Sequence, residues 1–264
     1  MESRTTRIVL GAWVILLLLF LFVPIGIILF YALNSSNIQS WPIAGFTLRW
    51  FPAAWENAEI RAAFALSLKV GLVATAIAVA LGSAAALAVH RYNFFGRETI
   101  SLLVVLPIAL PGIITGMALN SFFVFWGIDL SYWTIVIGHA TFCIVIVYNN
   151  VIARLRRVPA SLEEASMDLG GDGWYTFRRV TLPLISTALV AGAILAFGLS
   201  FDEVIVTTFT AGAQNTLPLW IFGAIRLGQQ LPEVNVVVMA VMALTIGPVL
   251  LAYRLTGAAD ITQR

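Results

Sequence analysis

Two adjacent acidic residues, Asp202 and Glu203, follow Phe201 in a strongly apolar part of the chain. Ionisable side chains within an apolar span are costly to bury and usually serve a function. Carboxylates suit a cationic ligand, and the aromatic ring of Phe201 or of a tryptophan attracts a cation to its face. We therefore predict that the two acids contact a positively charged ligand, with Phe201 or a tryptophan beside it. Two alternatives stay open: an aqueous vestibule solvates the carboxylates, or Arg226 pairs with one of them.

Other reactive residue types are scarce, which argues against covalent chemistry. Lys69 is the only lysine and Val70 follows it, whereas a Walker A motif requires Gly-Lys-Ser/Thr, so the chain holds no ATP site of this kind. Cys143 is the only cysteine, which excludes an intrachain disulfide and a cysteine-based metal site. The two histidines, His90 and His139, do not stand at a metal-ligand spacing. We predict that the chain is not an enzyme and binds no cofactor or metal.

The composition indicates an all-α, polytopic membrane protein. Of its 264 residues, 60% are hydrophobic and only 11% are charged, against about 25% charged in soluble domains. Each long hydrophobic run is sufficient to cross about 30 Å of hydrocarbon. The runs predict six transmembrane helices, at about 8–33, 62–90, 99–126, 132–154, 183–208 and from 232 or 234 to 255. A short surface helix is expected at LPLWIFGAIRLG, between the last two.

Two of these helices carry further patterns. Small residues recur at every fourth position of the second helix, which lets another helix approach closely: they are Ala74, Ala78, Gly82 and Ala86. The third helix is interrupted by the two prolines of LPIALPG. Such breaks free backbone groups and usually line a cavity or a helix contact.

The longest polar stretch, Ser161 to Pro183, predicts a short helix followed by a turn. Ser161 and Glu164 have the spacing of a capping box. Gly170 and Gly171 are expected to end the helix, and Asp172 to cap a second one. An eight-residue helix is unstable alone in water and needs a partner surface. One narrow apolar stripe is available for that contact, formed by Leu162, Ala165, Ser166 and Leu169.

This stretch resembles the EAA loop of bacterial ABC importer permeases. The matching residues are Glu164-Ala165-Ser166, Gly170 and Val180-Thr181-Leu182-Pro183, with Ser166 and Val180 in place of the usual Ala and Ile. The resemblance implies the type I ABC importer permease fold, with a coupling helix that docks on an ATPase subunit. It implies ATPase-coupling roles for residues of the loop, namely Ser161, Glu163, Glu164, Ala165, Ser166, Asp168, Leu169, Gly170, Leu182 and Pro183.

A second resemblance, from about Phe46 onward, is to the spermidine/putrescine branch of these permeases. It rests on SFDEVIVTTFT, TLPLWIF, Gly228 and the PEVN segment that begins at Pro232. It implies a small cationic solute such as putrescine or spermidine, whose pathway Phe201, Asp202, Glu203 and Trp220 would line. The branch also extends to other small organic solutes.

The family resemblance further implies a set of partners and a working cycle. A periplasmic solute-binding protein delivers the solute to this chain and a second permease subunit, in a heterodimer within the lipid bilayer. Two cytoplasmic ATP-binding subunits use ATP and Mg²⁺ and push the coupling helices, which alternates access to the pathway. No nucleic acid is involved, and the permease itself does no covalent chemistry.

The distribution of arginines predicts the orientation in a bacterial inner membrane. Eleven arginines fall on the side of the polar loop and three on the other, and cationic loops stay in the cytoplasm. Both termini and the loop are therefore expected in the cytoplasm. The predicted organisation is a first helix and periplasmic loop (1–61), a permease core (62–256) with the coupling loop at 158–182, and a cytoplasmic tail (257–264). The eleven are Arg4, Arg7, Arg91, Arg97, Arg154, Arg156, Arg157, Arg178, Arg179, Arg254 and Arg264; the three are Arg49, Arg61 and Arg226.

Two other classes of membrane protein are the alternatives. A secondary transporter often shows two related halves, and no clear internal repeat is visible here. A rhomboid-like intramembrane protease needs a buried nucleophile and base. His139 with Ser121 or Ser131 is the only such pair that the sequence offers, and no Gly-x-Ser-x-Gly-like motif supports it.

Overall fold

The structure, a computed structural model, describes residues 4–244, and this part of the chain is helical with one isolated antiparallel bridge between Asn34 and Phe46. The predicted all-helical class is therefore confirmed for the described residues. The predicted end of the last helix near 255, the tail 257–264 and the arginines Arg254 and Arg264 lie outside them. The helices are α1 (Arg4–Ala32), α2 (Trp50–Glu56), α3 (Ala58–Arg91), α4 (Arg97–Ala109), α5 (Gly112–Phe125), α6 (Tyr132–Leu155), α7 (Ser161–Asp168), α8 (Gly173–Thr176), α9 (Leu182–Phe201), α10 (Ile205–Thr210), α11 (Leu217–Leu227) and α12 (Leu231–Leu244).

Four helical segments within residues 4–244 are long and apolar enough to cross a bilayer: Arg4–Ala32, Ala58–Arg91, Tyr132–Leu155 and Gly173–Phe201. The last of these joins α8, a π-helical turn at Phe177–Thr181 and α9. Three shorter apolar helices accompany them, at Gly112–Phe125, Leu217–Leu227 and Leu231–Leu244. The count of six spans stays a prediction.

The predicted third helix is two helices, α4 and α5, because the chain becomes extended at Leu110. Leu110 has ψ of 142° and Pro111, the residue before α5, has ψ of 132°. Proline disfavours the helical conformation of the residue before it, which accounts for the break at this point. Pro107, by contrast, lies inside α4.

The second helix was predicted to begin at residue 62, but in the structure it begins four residues earlier, at Ala58. α3 starts at Ala58 because the side chain of Asn57 accepts a hydrogen bond from the backbone N–H of Glu59 at 2.9 Å. Asparagine is a favoured N-cap, since its side-chain oxygen satisfies one of the free N–H groups of a first turn. Asn57 also ends α2, and it donates to the Glu233 carboxylate at 2.9 Å.

The described residues form two compact units, one of 4–61 with 221–244 and one of Ala62–Trp220. In the first unit, Asn34 accepts the N–H groups of Ser36 and Ala44 through its side chain and the Trp50 indole N–H through its carbonyl. The Arg49 guanidinium lies 4.2 Å from the centre of the Trp50 ring. These contacts order the loop that connects α1 to α2.

In the second unit, α6 is the central helix and packs most extensively against α9. The small residues predicted for close packing do provide it: Ala74, Ala78 and Ala86 are fully buried. A Cβ atom at Gly82 would lie only 2.8 Å from the carbonyl oxygen of Ile144 in α6. The side chain of Arg154, near the end of α6, donates to the Leu184 carbonyl in α9 at 2.8 Å. This contact joins the helices on either side of the polar loop.

Candidate functional site

The polar loop forms the predicted short helix, α7, but the capping box predicted at Ser161 and Glu164 is not formed. The N-cap position is Ala160, which has helical backbone angles, so Ser161 lies inside the helix. The Ala160 carbonyl accepts the backbone N–H groups of Glu163 and Glu164 at 3.0 and 3.2 Å. Pro159 precedes these residues and its preset φ suits a helix start, so no serine cap is required. Ser161 and Glu164 are both exposed.

The end of α7 is the predicted glycine stop. Gly170 has φ of +88°. Its N–H donates to the Met167 carbonyl and the N–H of Gly171 donates to the Ser166 carbonyl, both at 2.9 Å. This pair of bonds is the Schellman motif, which requires a left-handed residue that glycine adopts without steric cost. A Cβ atom at Gly171 would lie 2.8 Å from the Ser166 carbonyl oxygen, so the second glycine is also needed for space.

One side chain of α7, that of Glu163, connects the loop to the rest of the unit. Its carboxylate forms an ion pair with Arg91, the last residue of α3, at 2.7 Å. It also accepts a hydrogen bond from the hydroxyl of Thr181, which in turn accepts one from Arg91 at 3.3 Å. The three side chains form a closed triangle at the base of the loop.

The charge of Glu163 is stabilised by this triangle. Burial alone would raise the pKa of the Glu163 carboxyl, but the hydrogen bonds from Thr181 and Arg91, together with the positive charge of Arg91, outweigh it. The net effect holds the pKa of Glu163 below its ordinary value, because both contacts favour the charged form. Glu163 is therefore ionised at neutral pH.

The loop continues through a second, capped turn. The Asp172 carboxylate accepts the backbone N–H of Tyr175 at 2.7 Å, which confirms its predicted capping role. The hydroxyls of Ser166 and Thr176 lie 2.9 Å apart and hold the two turns together. The Trp174 and Phe177 rings stack with centroids 5.7 Å apart.

Beyond the triangle, the loop exposes several large apolar side chains. Leu169 is a large apolar residue outside the predicted spans, and its side chain is nevertheless 90% exposed. An open depression runs between α7 and the second turn, and its lining includes Leu162, Ala165, Ser166, Tyr175 and Val180. Of the other loop residues singled out from the sequence, Asp168 is exposed and Leu182 and Pro183 begin α9. We call the exposed apolar side chains of this loop the loop face: Leu162, Met167, Leu169, Trp174 and Tyr175.

The acidic pair lies at a break in the predicted fifth helix, not within it. α9 ends at Phe201, and α10 begins at Ile205. The carboxylate of Glu203 accepts the backbone N–H of Val206 at 2.8 Å and so caps α10. Asp202 is exposed, and in the part of the chain that is described its hydrogen bonding involves only its backbone N–H, which donates to Gly198 at 3.2 Å. The two acids therefore have different environments, which their adjacency in sequence did not indicate.

The two predicted aromatic partners also differ. The Phe201 ring is half-buried and lies against Phe64 and Phe197, at centroid distances of 6.2 and 5.8 Å. Trp220 is only 7% exposed. Phe201 is next to the acids by sequence, whereas nothing in the structure places the Trp220 ring at them.

Sequence reasoning missed a buried polar network beside this break. The His139 ring of α6 bonds Ser200 of α9 through Nδ1 and Thr207 of α10 through Nε2, both at 2.8 Å. Its partners are thus neither Ser121 nor Ser131, the serines considered for a protease. Single polar residues inside the apolar runs of three helices were the available signal, but their spacing alone does not show that they meet.

The comparisons with known proteins agree with the helical, apolar architecture. Residues 78–260 match the family described as binding-protein-dependent transport system inner membrane component. The chain belongs to this family. It is an inner-membrane permease of an ABC importer, a multi-pass transport protein and not an enzyme.

Two relatives from Escherichia coli (strain K12) are similar over most of the chain. The putrescine transport system permease protein PotI is 34% identical over 241 residues, covering 86% of this chain and 85% of PotI. The spermidine/putrescine transport system permease protein PotC is 31% identical over 242 residues, covering 91% and 90%. Among solved structures, a chain of a bacterial ABC transporter involved in the import of the acidic polysaccharide alginate matches with a TM-score of 0.69 at 16% identity, over 97% of this chain and 98% of that one. At this identity the match supports the fold alone.

Proposed function

We propose that this chain forms part of the translocation pathway for a polyamine such as putrescine or spermidine, and that the loop Ser161–Pro183 couples it to a cytoplasmic ATPase. The observation that carries the proposal is the exposed carboxylate of Asp202 at a helix break, in a chain whose relatives PotI and PotC are named for putrescine and spermidine. Polyamines carry several positive charges, and a carboxylate at such a break offers them a complementary group.

The proposed solute contact is assigned chiefly to Asp202. Glu203 already serves as the cap of α10, so its charge is partly used within the protein. A freed backbone segment is tolerated at membrane depth only where it is buried in protein or lines a water-filled cavity. The exposure of Asp202 favours the cavity, in which a cation reaches the carboxylate. Phe201, which precedes Asp202 in the chain, and Trp220 belong to the same proposal as lining residues of the pathway, as the resemblance to the spermidine/putrescine branch implies.

The proposed coupling role rests on two kinds of side chain in the loop, one that binds the rest of the protein and several that are exposed. Glu163 faces inward and anchors the helix to Arg91 and Thr181. The loop face exposes large apolar side chains outside the predicted spans, which is the feature expected of a surface that docks on another protein. Glu164 is exposed and adds a charge to that surface. A movement of the loop face caused by the ATPase would be transmitted to α3 through the Glu163–Arg91 ion pair. It would be transmitted to α9 through the hydrogen bond between Glu163 and Thr181.

The topology and the partner subunits complete the proposal. We propose six spans with both termini in the cytoplasm, which would put the loop on the same side of the membrane as the ATPase. The full assembly then contains a second, unlike permease, two ATPase subunits that use ATP and Mg²⁺, and a periplasmic binding protein. The permease core at 62–256 and the cytoplasmic tail at 257–264 belong to the same proposal.

The test is to purify the chain with its genomic neighbours, identify the solute carried by the associated binding protein, and measure uptake in proteoliposomes. We expect putrescine or spermidine on the binding protein and ATP-dependent uptake of the radiolabelled compound. Unlabelled polyamine should compete, whereas an uncharged solute of similar length should not. A neutral or anionic solute on the binding protein would contradict the polyamine assignment and leave the ATPase coupling to be judged by its own variants.

A further inference from the structure

The break between α9 and α10 is bridged by one side chain from a third helix. His139 of α6 bonds Ser200, one residue before the end of α9, and Thr207, the third residue of α10. All three side chains are at most 3% exposed. The ring therefore spans the segment that carries Asp202 and Glu203 and connects its two flanks.

The directions of these hydrogen bonds can be assigned from the atoms involved. The Thr207 hydroxyl donates to the backbone carbonyl of Glu203 at 2.7 Å, so its oxygen must accept from His139. Nε2 of the ring is then the protonated nitrogen, and Nδ1 accepts from the Ser200 hydroxyl, because a neutral imidazole has one donor and one acceptor. A single chain of donors and acceptors thus runs from Ser200 through His139 and Thr207 to the Glu203 carbonyl.

The short helix α10 is held at its other end as well. Asn120 of α5 donates to the Phe209 carbonyl and Thr134 of α6 donates to the Thr210 carbonyl, both at 2.7 Å. Gly138, next to His139, lets α10 approach closely, since a Cβ atom there would lie 3.1 Å from Val206. α10 is therefore held at both ends, and the stretch that connects it to α9 is Asp202 to Val204.

We propose that His139 is a positioning residue of the translocation pathway: by joining Ser200 to Thr207, it fixes the backbone between them and so the direction in which Asp202 presents its carboxylate. His139 does not touch the solute. Its role depends on the proposed function, because only a pathway that uses Asp202 needs the acid to be held in one place. A buried polar network of this kind restricts the protein to one arrangement when all its members are satisfied.

The test uses Thr207, whose hydroxyl can be removed or kept at nearly constant size. Thr207→Val deletes the acceptor for His139 and the donor to Glu203, whereas Thr207→Ser keeps both. The assembled importer, with its ATPase and binding protein, is reconstituted in proteoliposomes at equal amounts of complex. Since the loss of a hydrogen bond in such a network weakens a contact by a modest factor, we expect putrescine uptake to fall about three- to tenfold in Thr207→Val and to stay near the parent rate in Thr207→Ser.

A double variant then asks whether the effect passes through Asp202. If the network acts by positioning this acid, Asp202→Asn with Thr207→Val should be no slower than Asp202→Asn alone, because coupled residues are not additive. Uptake that falls by the product of the two single effects would overturn the proposal. So would parental uptake in Thr207→Val. If Thr207→Val lowers the recovery of complex, Ser200→Ala gives the same comparison, because it removes the other bond of the ring.

A labelling experiment separates this inference from the polyamine assignment. Asp202→Cys is introduced into the parent, the Thr207→Val variant and the Thr207→Ser variant, and the rate of modification by a small cationic thiol reagent is measured. Native Cys143 is buried, and the parent without the new cysteine gives its background. We expect a rate in Thr207→Val that differs severalfold from the other two. Equal rates in all three would overturn the positioning role even if putrescine is the solute, and an altered rate with a non-polyamine solute would support it without the polyamine assignment.

Discussion

Arg91 at the end of α3 and Glu163 in α7 form an ion pair of 2.7 Å, although 72 positions separate them in the chain. The pair is a charged contact between the polar loop and α3, although α4, α5 and α6 lie between them in the chain. Both side chains are partly shielded from solvent, at 28% and 21% exposure. The loop is therefore held to the helical core by a specific contact as well as by its covalent connections to α6 and α9.

The first prediction is that Arg91→Ala lowers coupling between ATP hydrolysis and transport. It removes the ion pair and the bond to Thr181, and partly exposed pairs contribute about 0–1 kcal/mol, so we expect at most about a fivefold loss of solute transported per ATP. Arg91→Lys is the control, because it keeps the charge but not the fork that reaches both partners. Solute uptake and phosphate release are measured in the same proteoliposomes. An unchanged amount of solute transported per ATP in Arg91→Ala would show that the Arg91–Glu163 ion pair plays no part in coupling.

The same contact has a defined pH dependence. The folded pKa of Glu163 is lowered, so its stabilising contribution is complete above the ordinary carboxyl pKa and is lost as the pH falls through the lower, folded value. Coupling through this contact should be constant at neutral pH and should weaken only in acid. Glu163→Gln should remove that acid-dependent component.

The second prediction concerns the turn at Gly170, which has φ of +88° and open space around its Cβ position. Gly170→Ala meets no neighbour, so its cost is purely conformational, about 1–2 kcal/mol for a left-handed alanine. We expect weaker recovery of the ATPase with the permease, at unchanged insertion into the membrane. Gly170→Asn is the matched control because asparagine tolerates this conformation better, and equal losses in both variants would show that the backbone angle at this position is not decisive.

The third prediction is that the polar loop and the C-terminus are cytoplasmic. Engineered cysteines at Asp172, which is exposed in the structure, and at Gln263, outside the described residues, should react with a membrane-impermeant reagent only from the inside. A cysteine at exposed Trp41 is the control for the opposite side. Modification of position 172 or 263 from the periplasm would contradict the orientation that the arginines predict.

The features predicted correctly from the sequence depend on local chemistry. Gly170 ends α7 because few other residues adopt its backbone angle, and the break before α5 follows from Pro111 and the conformation it imposes on Leu110. The capping box failed because Ala160 already lies in the helical region, a detail of backbone conformation that the motif does not report.

The candidate site was less predictable for a different reason. The capping by Glu203 requires the chain to leave the helix after Phe201, and the apolar residues resume directly after the two acids, at Val204, so the hydropathy pattern did not predict a helix end there. The contacts of His139 join three helices, so they depend on how those helices pack and not on any spacing within one of them. The pairing of His139 with Ser200 and Thr207 therefore could not be predicted without the packing of α6, α9 and α10.

The fourth prediction tests the close approach of α3 and α6. Gly82→Ala would place a methyl group 2.8 Å from the Ile144 carbonyl oxygen and 3.1 Å from the Tyr148 nitrogen, both backbone atoms that cannot turn aside. Overpacking of this kind costs about 1–3 kcal/mol, so we expect a lower melting temperature of the purified complex. Gly198→Ala in α9 is the control, since nothing lies within 4 Å of its Cβ position. A Gly82→Ala complex as stable as the parent would mean that the two helices separate without cost.

The last prediction separates the two acids at the helix break. Asp202 is exposed and its carboxylate is available to a cation, whereas the Glu203 carboxylate caps α10 by accepting the Val206 N–H at 2.8 Å. Asp202→Asn keeps the shape of the side chain and removes only its charge, so we expect slower polyamine uptake with normal recovery of the complex.

Glu203→Ala should show the reverse pattern, because it removes a cap worth about 0.5–2 kcal/mol, and so lowers the recovery and thermal stability of the complex. Glu203→Gln keeps an oxygen that can accept the Val206 N–H and should lie between the two. The size of the Asp202→Asn defect reports how far the contact is desolvated, since an exposed pair contributes at most about 1 kcal/mol and a buried one several times more. Uptake is measured at fixed complex abundance, with the affinity of the binding protein determined separately. Parental uptake in both Asp202→Asn and Glu203→Gln would remove the acids from the pathway, and the polyamine assignment would then depend on similarity to PotI and PotC alone.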